Sequence, residues 1–356
     1  MSKPIISVLK TNPKNVLKDY SKLMHLAKYE KFLPKNKELL LKLNLSWSLY
    51  YPACSTEPWQ LEGVLKTLID DNYKKIHAVE NKTVVTKPWK GAKGNKWLPI
   101  LKKYNQKFKP LTKVKWIDYK PKHELMALSK IFPGGHKIPE MFIGKSVLHL
   151  PTVKTHGHTI MTGSMKNAFG GLITERRHHC HKMIHEVLVD LLTIQKEIHP
   201  GIFTVMDGTV CGDGKGPRTM IPKIKNYILA GNDSVAIDAI SAKMMGYDPM
   251  RIKFIKLAHD KGLGCGDIKQ IDIVGENISK VNFKFATGKS PVVFWDQMFR
   301  KGALSFVEPL LFHTGLFKLC VYASAIYHDY LWYPFIGKQK IKRFMKTEWG
   351  ELFKCY

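Results

Sequence analysis

The sequence lacks the cysteine patterns of zinc ribbons, redox dithiols and disulfide frameworks. Its six cysteines, at positions 54, 180, 211, 265, 320 and 355, are widely separated, and no pair forms C-x-x-C. A chain with so few cysteines relies on a hydrophobic core rather than on disulfides. We therefore expect free thiols in a reducing compartment, and no iron–sulfur cluster from this spacing.

Long apolar runs are also missing. The first residues, MSKPIISVLKTNPKN, have neither the apolar stretch nor the cleavage site of a secretory signal. No run of about eighteen apolar residues is present. These absences predict a cytoplasmic protein without a membrane-spanning helix. A length of 356 residues with 44% apolar content excludes a mainly disordered chain.

Acidic residues are scarce. There are 57 Lys plus Arg against 29 Asp plus Glu, a formal net charge of +28, which favours nucleic acid, an anionic membrane surface or phosphorylated metabolites as partners. Thirteen lysines lie in residues 82–122, interleaved with Trp89, Trp97, Tyr104, Phe108, Trp116 and Tyr119. This stretch could bind a nucleic acid strand by charge and stacking. A solvated insertion is the alternative, and the scarcity of arginine argues against a phosphate-reading surface.

Short apolar strands alternate with helical segments along most of the chain. Strands are predicted at 4–9, 38–45, 75–79, 114–118, 146–150, 202–206, 227–230 and 271–274, and helices at 15–28, from about 56, at 178–198, at 234–245 and up to about 261. The alternation predicts an α/β domain over residues 1–290, with a mainly parallel sheet covered by helices on both faces, as one unit or two lobes.

The composition of the sequence changes near residue 291. Residues 291–356 are rich in aromatic and basic side chains and have a helical pattern. We predict a helical C-terminal extension. It either completes the core of the domain or lies on an anionic membrane surface through residues 291–343, as a peripheral contact on the inner membrane face.

Polar residues follow three predicted strands, and ligands of parallel sheets bind at such strand ends. The segment after the strand at 146–150 offers Lys154, His156, His158, Thr162, Ser164, Lys166, Asn167, Gly170 and Gly171. Lysines, hydroxyls and glycines in a loop suit an anionic group. His156 and His158 would point the same way in an extended chain and could share a metal ion. A polar loop capped by glycine turns is the alternative.

The other two strand ends carry aspartates. Asp207 follows the strand at 202–206 and begins a glycine-rich segment that includes Gly216, so it is a candidate metal ligand or catalytic group. Asp233 can cap the next helix, which suffices to explain it. Asp238 lies on the small-residue face of that helix and needs a lysine, a backbone group or a metal ion as partner.

Histidines are concentrated in RRHHCHKMIH, residues 176–185. On an α-helix, His178, His181 and His185 form one stripe, with the last two at metal-ligand spacing. Either this stripe binds a metal ion or it is a polar helix edge.

Several ordered blocks resemble the domain-of-unknown-function 362 family over about residues 36–275: LLLKLNL, CSTEP, LPTVKTH, TGSMKNAFGG, VMDGTVCGDGKGP and ILAGNDSVAIDAISAKMMGYDP. The resemblance implies an α/β cytoplasmic protein with no established reaction. The family pattern matches Lys42, Asn44, Thr56, Lys154, His156, Lys166, Asn167, Gly170, Asp207, Gly216, Pro217, Asp233 and Asp238. Many members carry an appended ferredoxin segment. This chain has none, so an iron–sulfur cluster is not implied.

These features predict an enzyme with a cleft at the strand ends that binds a divalent metal ion or a small anionic cofactor or substrate. Lys154 and Lys166 would neutralise the anion, and His156 would be a ligand or a general acid–base. Redox chemistry, with a separate ferredoxin-type electron donor, rests on family analogy. The alternative is a protein without catalysis that binds an anionic membrane surface or, less favoured, nucleic acid.

Overall fold

One ten-stranded sheet runs through the protein, of which the computed structural model describes residues 3–83, 85–173 and 175–356. The strands, including β5 and β6 of a small separate sheet, are β1 (Ile5–Lys10), β2 (Leu39–Lys42), β3 (Ile76–Glu80), β4 (Phe108–Pro110), β5 (Trp116–Tyr119), β6 (His136–Pro139), β7 (Ser146–His149), β8 (Thr152–His156), β9 (Ile160–Met161), β10 (Ile202–Lys215), β11 (Thr219–Gly231) and β12 (Asp272–Gly275). The order is β12-β1-β11-β10-β7-β2-β3-β4, with β8 paired to β10 and β9.

The sheet is mainly parallel, as the sequence predicts. Parallel pairing joins β10, β7, β2, β3 and β4 in turn, and also joins β1 to β12 and β8 to β10. Within the ten-stranded sheet, β11, which is antiparallel to β1 and β10, and the short β9 are the described strands that depart from this pattern. The parallel strands therefore end at a common edge of the sheet.

Helices cover both faces of the sheet. They are α1 (Val16–Leu26), α2 (Pro58–Asp70), α3 (Pro88–Gly94), α4 (Trp97–Lys103), α5 (Leu128–Ile131), α6 (Ser164–Leu172), α7 (Ile184–Ile198), α8 (Ser234–Met245), α9 (Lys253–Asp260), α10 (Pro291–Lys301), α11 (Glu308–His313), α12 (Phe317–Ala325), α13 (Lys338–Phe344) and α14 (Glu348–Cys355). Successive residues of β2 point to opposite faces. Leu40 belongs to the hydrophobic cluster under α6–α9, whereas Leu39 and Leu41 belong to the cluster under α1 and α2.

The strand predicted at 202–206 does not end before the glycine-rich segment, so the predicted strand end at Asp207 was wrong. Strand β10 continues to Lys215 and pairs with β11 along a hairpin, with one irregularity between Gly208 and Val210. Gly212 lies opposite Lys154 of β8, and a Cβ atom there would lie 3.0 Å from the Cβ of Lys154 and 2.2 Å from the sulfur of Met220. The glycines thus allow a third strand to approach the hairpin.

The predicted helix at 178–198 begins later than expected. Residues Glu175–Met183 form a 3₁₀ helix, and the α-helix α7 starts at Ile184. A 3₁₀ helix has about 3.0 residues per turn, so residues three apart share a face. His178 and His181 therefore keep a common side, but His185 belongs to a different helix and does not extend their stripe.

The lysine-rich stretch 82–122 is part of the fold. It contributes α3, α4 and the edge strand β4. Trp97 and Phe108 are buried, and Tyr119 donates a hydrogen bond to Glu197. Of the six interleaved aromatic side chains, Trp89 alone is largely exposed, so the expected stacking surface for nucleic acid does not form. Binding through the lysines stays a prediction.

The C-terminal extension is helical, as predicted, and consists of α10–α14 with a π-helical segment at Ile326–Gly337. Its inner side chains Trp332, Phe344, Trp349 and Phe353 join the hydrophobic core. No described helix is long and apolar enough to cross a bilayer by itself. The segments Ser305–His313 and Phe317–Phe344 meet that requirement jointly, but they are bent by 89°.

Candidate functional site

A cavity of about 550 Å³ lies where the parallel strands end, a volume within the usual range of about 300–1,000 Å³ for small-molecule sites. Lys42 at the end of β2, Glu80 at the end of β3 and His156 at the end of β8 line its floor. The C-terminal extension covers it with side chains from α10, α11 and α12. The cavity is therefore formed jointly by the sheet edge and the extension.

Two buried charges on neighbouring strands hold the floor of the cavity together. The Nζ atom of Lys42 donates hydrogen bonds to Glu80 Oε2 at 2.9 Å and to the carbonyl oxygen of Leu43 at 2.5 Å. A Cβ atom at Gly170 of α6 would lie 3.2 Å from both Glu80 Oε1 and Lys42 Nζ. The glycine lets the helix pack directly on this ion pair, whose charges neutralise each other.

Asp238 fixes the start of α6, which carries four residues of the cavity wall. Its carboxylate accepts hydrogen bonds from the backbone amides of Ser164 at 2.6 Å and Met165 at 3.1 Å. A Cβ atom at Gly163 would lie 2.2 Å from Asp238 Oδ1, so only glycine fits there. Of the three predicted partners for Asp238, the backbone is the one found. It orients α6, and with it Lys166 and Asn167, rather than a lysine directly.

Three buried or partly buried cations line the cavity without a salt bridge to a described carboxylate: Lys166, Arg177 and Arg218; Lys215, which also lines it, is exposed. The ammonium of Lys166 lies 5.1 Å from the ring centre of Phe169, and Arg177 donates to the carbonyl oxygen of Lys82 at 2.6 Å. A fourth cation, Lys154, lies directly behind the wall and donates to Asn44 Oδ1 at 2.7 Å. This excess of positive charge produces a positive potential in the cavity that favours an anion over a cation.

The pKa values of these cations reflect their burial. Burial, together with the smaller effects of the neighbouring Arg177 and Lys154 charges, lowers the pKa of Lys166 to about 8. Burial likewise lowers the pKa of Lys154 to about 8, against the opposing effect of Cys54, Glu57 and Asp207. An anion in the cavity would raise both values, because it stabilises the charged forms.

His156 faces the cavity as a hydrogen-bond donor. Its Nδ1 atom accepts a hydrogen bond from the backbone amide of His158 at 3.1 Å, and burial holds its pKa well below the usual range. In the neutral ring, Nε2 therefore carries the hydrogen atom. This tautomer can donate a hydrogen bond to an anion but offers no free lone pair to a metal ion, so His156 fits the role of a neutral hydrogen-bond donor better than that of ligand or general acid.

A possible metal site lies beside His156. His158 Nε2 and His181 Nδ1 lie 3.6 Å and 3.8 Å from Asp296 Oδ2, and the two imidazole rings stack with their centres 4.8 Å apart. Neither His181 Nδ1 nor Asp296 Oδ2 has a hydrogen-bond partner, although both are buried. Within the described part of the chain, these three residues form the group that could hold a metal ion.

Arg300 holds the carboxylate of this group in place. Its Nε donates to Asp296 Oδ1 at 3.0 Å, and its guanidinium carbon lies 3.8 Å from the ring centre of Phe312. The Nη1 and Nη2 atoms of Arg300 are buried without hydrogen-bond partners, and both belong to a side chain that lines the cavity. Burial raises the pKa of Asp296, while Arg300 opposes that rise.

The predicted residues divide into two groups. Those that line the cavity are Lys42, Asn44, His156, His158, Thr162, Lys166, Asn167, Gly170, His178, His181 and Gly216. Those that lie outside its wall are Lys154, Ser164, Gly171, His185, Asp207, Asp233 and Asp238. The segment 154–171 is thus the strand end at which the predicted residues converge.

Asp207 is a structural residue of the core rather than a strand-end ligand. It lies inside β10, fully buried, and accepts hydrogen bonds from Tyr20 at 2.6 Å, Trp59 at 3.0 Å and the Thr209 hydroxyl at 2.8 Å. These donors occupy its oxygens. The prediction placed Asp207 at a strand end because it ended β10 nine residues too early, at Met206 instead of Lys215.

The other outlying residues also have structural partners. Asp233 caps α8 by accepting from the amides of Val235 and Ala236, and it accepts from Cys265 as well. The hydroxyl of Ser164 is bonded to those of Thr204 and Ser234. His185 stacks on Phe254, and His178 stacks on Phe317 of the extension. Neither histidine belongs to the group around Asp296.

Sequence analysis missed Arg177, Arg218, Arg300 and Asp296. The signal for the three arginines was their rarity, because the chain has six arginines, at positions 176, 177, 218, 251, 300 and 343, and half of them line the cavity. Arginine offers several N–H donors in a planar guanidinium, so an arginine in a lysine-rich chain indicates a position that favours bidentate hydrogen bonding. Asp296 had a weaker signal, as one of few acidic residues in a basic extension.

The comparisons with known proteins identify the family. The sequence model described as "Domain of unknown function (DUF362)" matches residues 39–243, more than half of the chain, so this protein belongs to that family. The chain is also similar to the thylakoid-associated protein sll1697 of Synechocystis sp., with 27% identity over 124 residues, 33% of this chain. It spans 37% of the length of that curated relative. No solved structure matches the chain.

Proposed function

We propose that the cavity is the active site of a metal-dependent enzyme whose substrate is a small organic anion. The observation that carries this proposal is the presence in one cavity of three unpaired cations, Lys166, Arg177 and Arg218, next to the group His158, His181 and Asp296. Buried or partly buried cations without a carboxylate partner oppose folding, and an anion bound in the cavity would balance their charge.

The residues fit a divalent metal ion. Two histidines and one carboxylate are used by catalytic zinc sites and by mononuclear non-haem iron sites, and both leave coordination positions open. Metal–ligand bonds of roughly 2.0–2.2 Å place neighbouring ligand atoms roughly 3–3.5 Å apart, close to the 3.6 Å and 3.8 Å found around Asp296 Oδ2. Burial lowers the pKa of His158 to about 3, so its ring is neutral and available at neutral pH.

Each group then has a defined task. The guanidinium groups of Arg177 and Arg218 and the Lys166 ammonium bind the anionic group, and His156 Nε2 donates a hydrogen bond to it. A metal ion would supply Lewis-acid or redox chemistry next to the bound anion. Redox chemistry with a separate ferredoxin-type donor remains part of the proposal through family analogy alone.

Calorimetric titration with inorganic phosphate, with and without Zn²⁺, tests the anion site. Arg218→Gln should weaken phosphate binding by about tenfold or more, because a charged hydrogen bond contributes about 1.5–3 kcal/mol. Arg251→Gln is the matched control, since Arg251 is exposed and does not line the cavity. Absence of saturable phosphate binding by the unaltered protein in both conditions would overturn the proposal.

We also propose that the outer surface of the extension docks on an anionic membrane. Of the sixteen large apolar side chains exposed among the described residues, twelve lie between Phe294 and Ile336. The acidic residues of this region, Asp296, Glu308 and Asp329, are engaged with Arg300, Lys182 and Trp47. Between residues 289 and 346, the exposed charged side chains are lysines and one arginine: Lys289, Lys301, Lys318, Lys338, Lys342, Arg343 and Lys346. Apolar and basic groups on one surface suit an anionic bilayer.

Cosedimentation with vesicles tests the membrane proposal. Binding to vesicles with phosphatidylglycerol should exceed binding to pure phosphatidylcholine, and Phe306→Ser with Tyr330→Ser should reduce it by at least about tenfold, because each large apolar side chain contributes about 1.5–3 kcal/mol. Ile221→Ser with Ile224→Ser, which alters exposed side chains on β11, is the control. Equal loss in both double variants, or no binding by the unaltered protein, would contradict docking by the extension.

A further inference from the structure

The cavity has two chemically different walls. The wall built by the sheet edge and α6 is cationic and carries Lys166, Arg177 and Arg218. The wall built by the extension includes Asp296 and Arg300 but presents mainly apolar side chains, such as Val293, Trp295, Phe299, Phe312, Phe317 and Val321. A small polar anion such as phosphate would use the first wall and leave the second in contact with water.

The apolar wall has accessible surface inside the cavity that no other side chain covers completely. Phe312 and Phe317 lie 5.9 Å apart between ring centres, and Trp295 stacks on Phe299 at 5.9 Å. Unlike the buried core residues of the extension, Phe299, Phe317 and Val321 keep part of their surface accessible. Apolar surface that stays wet costs about 25 cal/mol per Å² relative to surface that is covered. A ligand with an apolar part would cover it.

The cavity opens beside the exposed apolar surface of the extension. Trp295 and Ala323 line the cavity and are also exposed. Their chain neighbours Phe294 and Tyr322 are exposed members of the apolar surface. An apolar chain could therefore contact that surface and the cavity lining together, through Trp295.

We infer that the ligand of this cavity is an amphiphile, with an anionic head group bound by the cation wall and an apolar chain lying along the extension. This inference rests on the proposed anion site and adds the substrate class to it. The head group is a phosphate or a similar oxyanion, which the arginine forks recognise, and the chain is aliphatic or polyisoprenoid. Such a molecule comes either from a membrane or from solution as a monomer.

Titration with inorganic phosphate, butyl phosphate and octyl phosphate, all below their micellar concentrations, tests this inference. Affinity should rise about threefold to fourfold for each added methylene until the chain fills the cavity, so octyl phosphate should bind about 100-fold more tightly than butyl phosphate. Phosphate binding without any dependence on chain length would overturn the inference and leave the proposed function standing. Absence of binding by all three compounds would overturn both.

Two wall variants separate chain binding from head-group binding. Val321→Thr keeps the shape of the side chain and replaces a methyl group with a hydroxyl, whereas Phe299→Leu removes apolar contact area from the wall. Each variant should weaken octyl phosphate binding by about fivefold or more. Binding of inorganic phosphate should stay unchanged. Unchanged phosphate binding also shows that the variants are folded. Val307→Thr, on the extension but outside the cavity wall, is the control. Equal octyl phosphate affinity in all variants would overturn the inference.

Comparing a monomeric ligand with a ligand in vesicles distinguishes uptake from solution from uptake out of a membrane. The variant Phe306→Ser with Tyr330→Ser alters the outer surface and leaves the cavity wall intact. If the ligand comes from a membrane, this variant should bind monomeric octyl phosphate normally but fail to extract phosphatidic acid from vesicles. Normal extraction by the variant supports uptake from solution, with the amphiphile assignment retained by the chain-length dependence.

Discussion

The carboxylate of Asp296 lies 3.6 Å from the imidazole Nε2 of His158, although the two residues are 138 positions apart in the chain. His158 follows β8 at the edge of the sheet, and Asp296 belongs to α10 of the extension. The contact joins the part of the chain that carries the family pattern, residues 39–243, to a segment outside it. The candidate metal site is therefore complete only when the extension is packed on the sheet edge.

Two lysines of the cavity should have opposite effects on stability. Lys166→Met removes a buried charge that has no carboxylate partner, so the free energy of unfolding should rise by about 1 kcal/mol. Lys42→Met leaves Glu80 buried and unpaired, so the free energy of unfolding should fall by about 3–5 kcal/mol. Urea denaturation followed by circular dichroism measures both. A loss of stability in Lys166→Met as large as that in Lys42→Met would contradict the assignment of Lys166 as an unpaired cation.

Anion affinity should fall as the pH rises through about 8, where Lys166 and Lys154 lose their protons. Sulfate is the suitable probe, because its charge is constant between pH 6 and 10. The groups that face Lys166 are cationic (Arg177 and Lys154), so no carboxylate postpones this deprotonation. Calorimetry at pH 6.5, 8 and 9.5 measures the change, and constant sulfate affinity across the range would contradict it.

The same pKa shift predicts how stability depends on pH. The pKa of Lys166 is lowered from 10.5 in the unfolded chain to about 8 in the folded protein. Between these values the unfolded state binds more protons than the folded state, so this lysine makes stability increase with pH. The stability advantage of Lys166→Met over the unaltered protein should therefore shrink between pH 8 and pH 10. An advantage that grows in this window would contradict the direction of the shift.

Asp238 should affect both stability and ligand binding. Asp238→Ala leaves the amides of Ser164 and Met165 without partners, which should lower the free energy of unfolding by about 2–4 kcal/mol. It should also weaken sulfate binding, because the start of α6 positions Lys166. Asp233→Ala removes a cap of the same kind from α8, which carries no residue of the cavity wall. It should lower stability and leave sulfate affinity unchanged, and an equal loss of affinity in both variants would contradict the positioning role of Asp238.

Much of the fold follows from local sequence patterns. Alternating strands and helices predict the parallel sheet, and Asp233, Gly246 and Pro249 mark the ends of α8. What local patterns cannot supply is pairing with a distant strand. The glycines of β10 disfavour a strand by propensity, but pairing with β11 and the close approach of β8 outweigh that preference. Because the predicted strand ended at Met206, Asp207 was placed at a strand end instead of inside β10.

The candidate site was predictable where the chemistry lies in one segment. Residues 154–171 supply Lys166, Asn167 and His156 from a single strand–helix connection, and the sequence identified them. Asp296 and Arg300 lie more than 100 residues further along, and nothing in their local sequence indicates that α10 packs over the strand ends. His158 and His181 were predicted as ligands, but each was grouped with neighbours in sequence rather than with each other.

In the proposed metal site, the C-terminal extension supplies Asp296 as the third ligand. Titration with Co²⁺ tests this proposal. The unaltered protein should bind one Co²⁺ with visible d–d absorption, and Asp296→Asn should weaken binding by about 100-fold or more, since loss of even an outer-shell partner costs roughly 10- to 100-fold. Asp329→Asn, which alters another carboxylate of the extension bonded to Trp47 at 2.7 Å, should bind normally. Equal Co²⁺ affinity in the unaltered protein and Asp296→Asn, or no stoichiometric binding at all, would contradict the proposal.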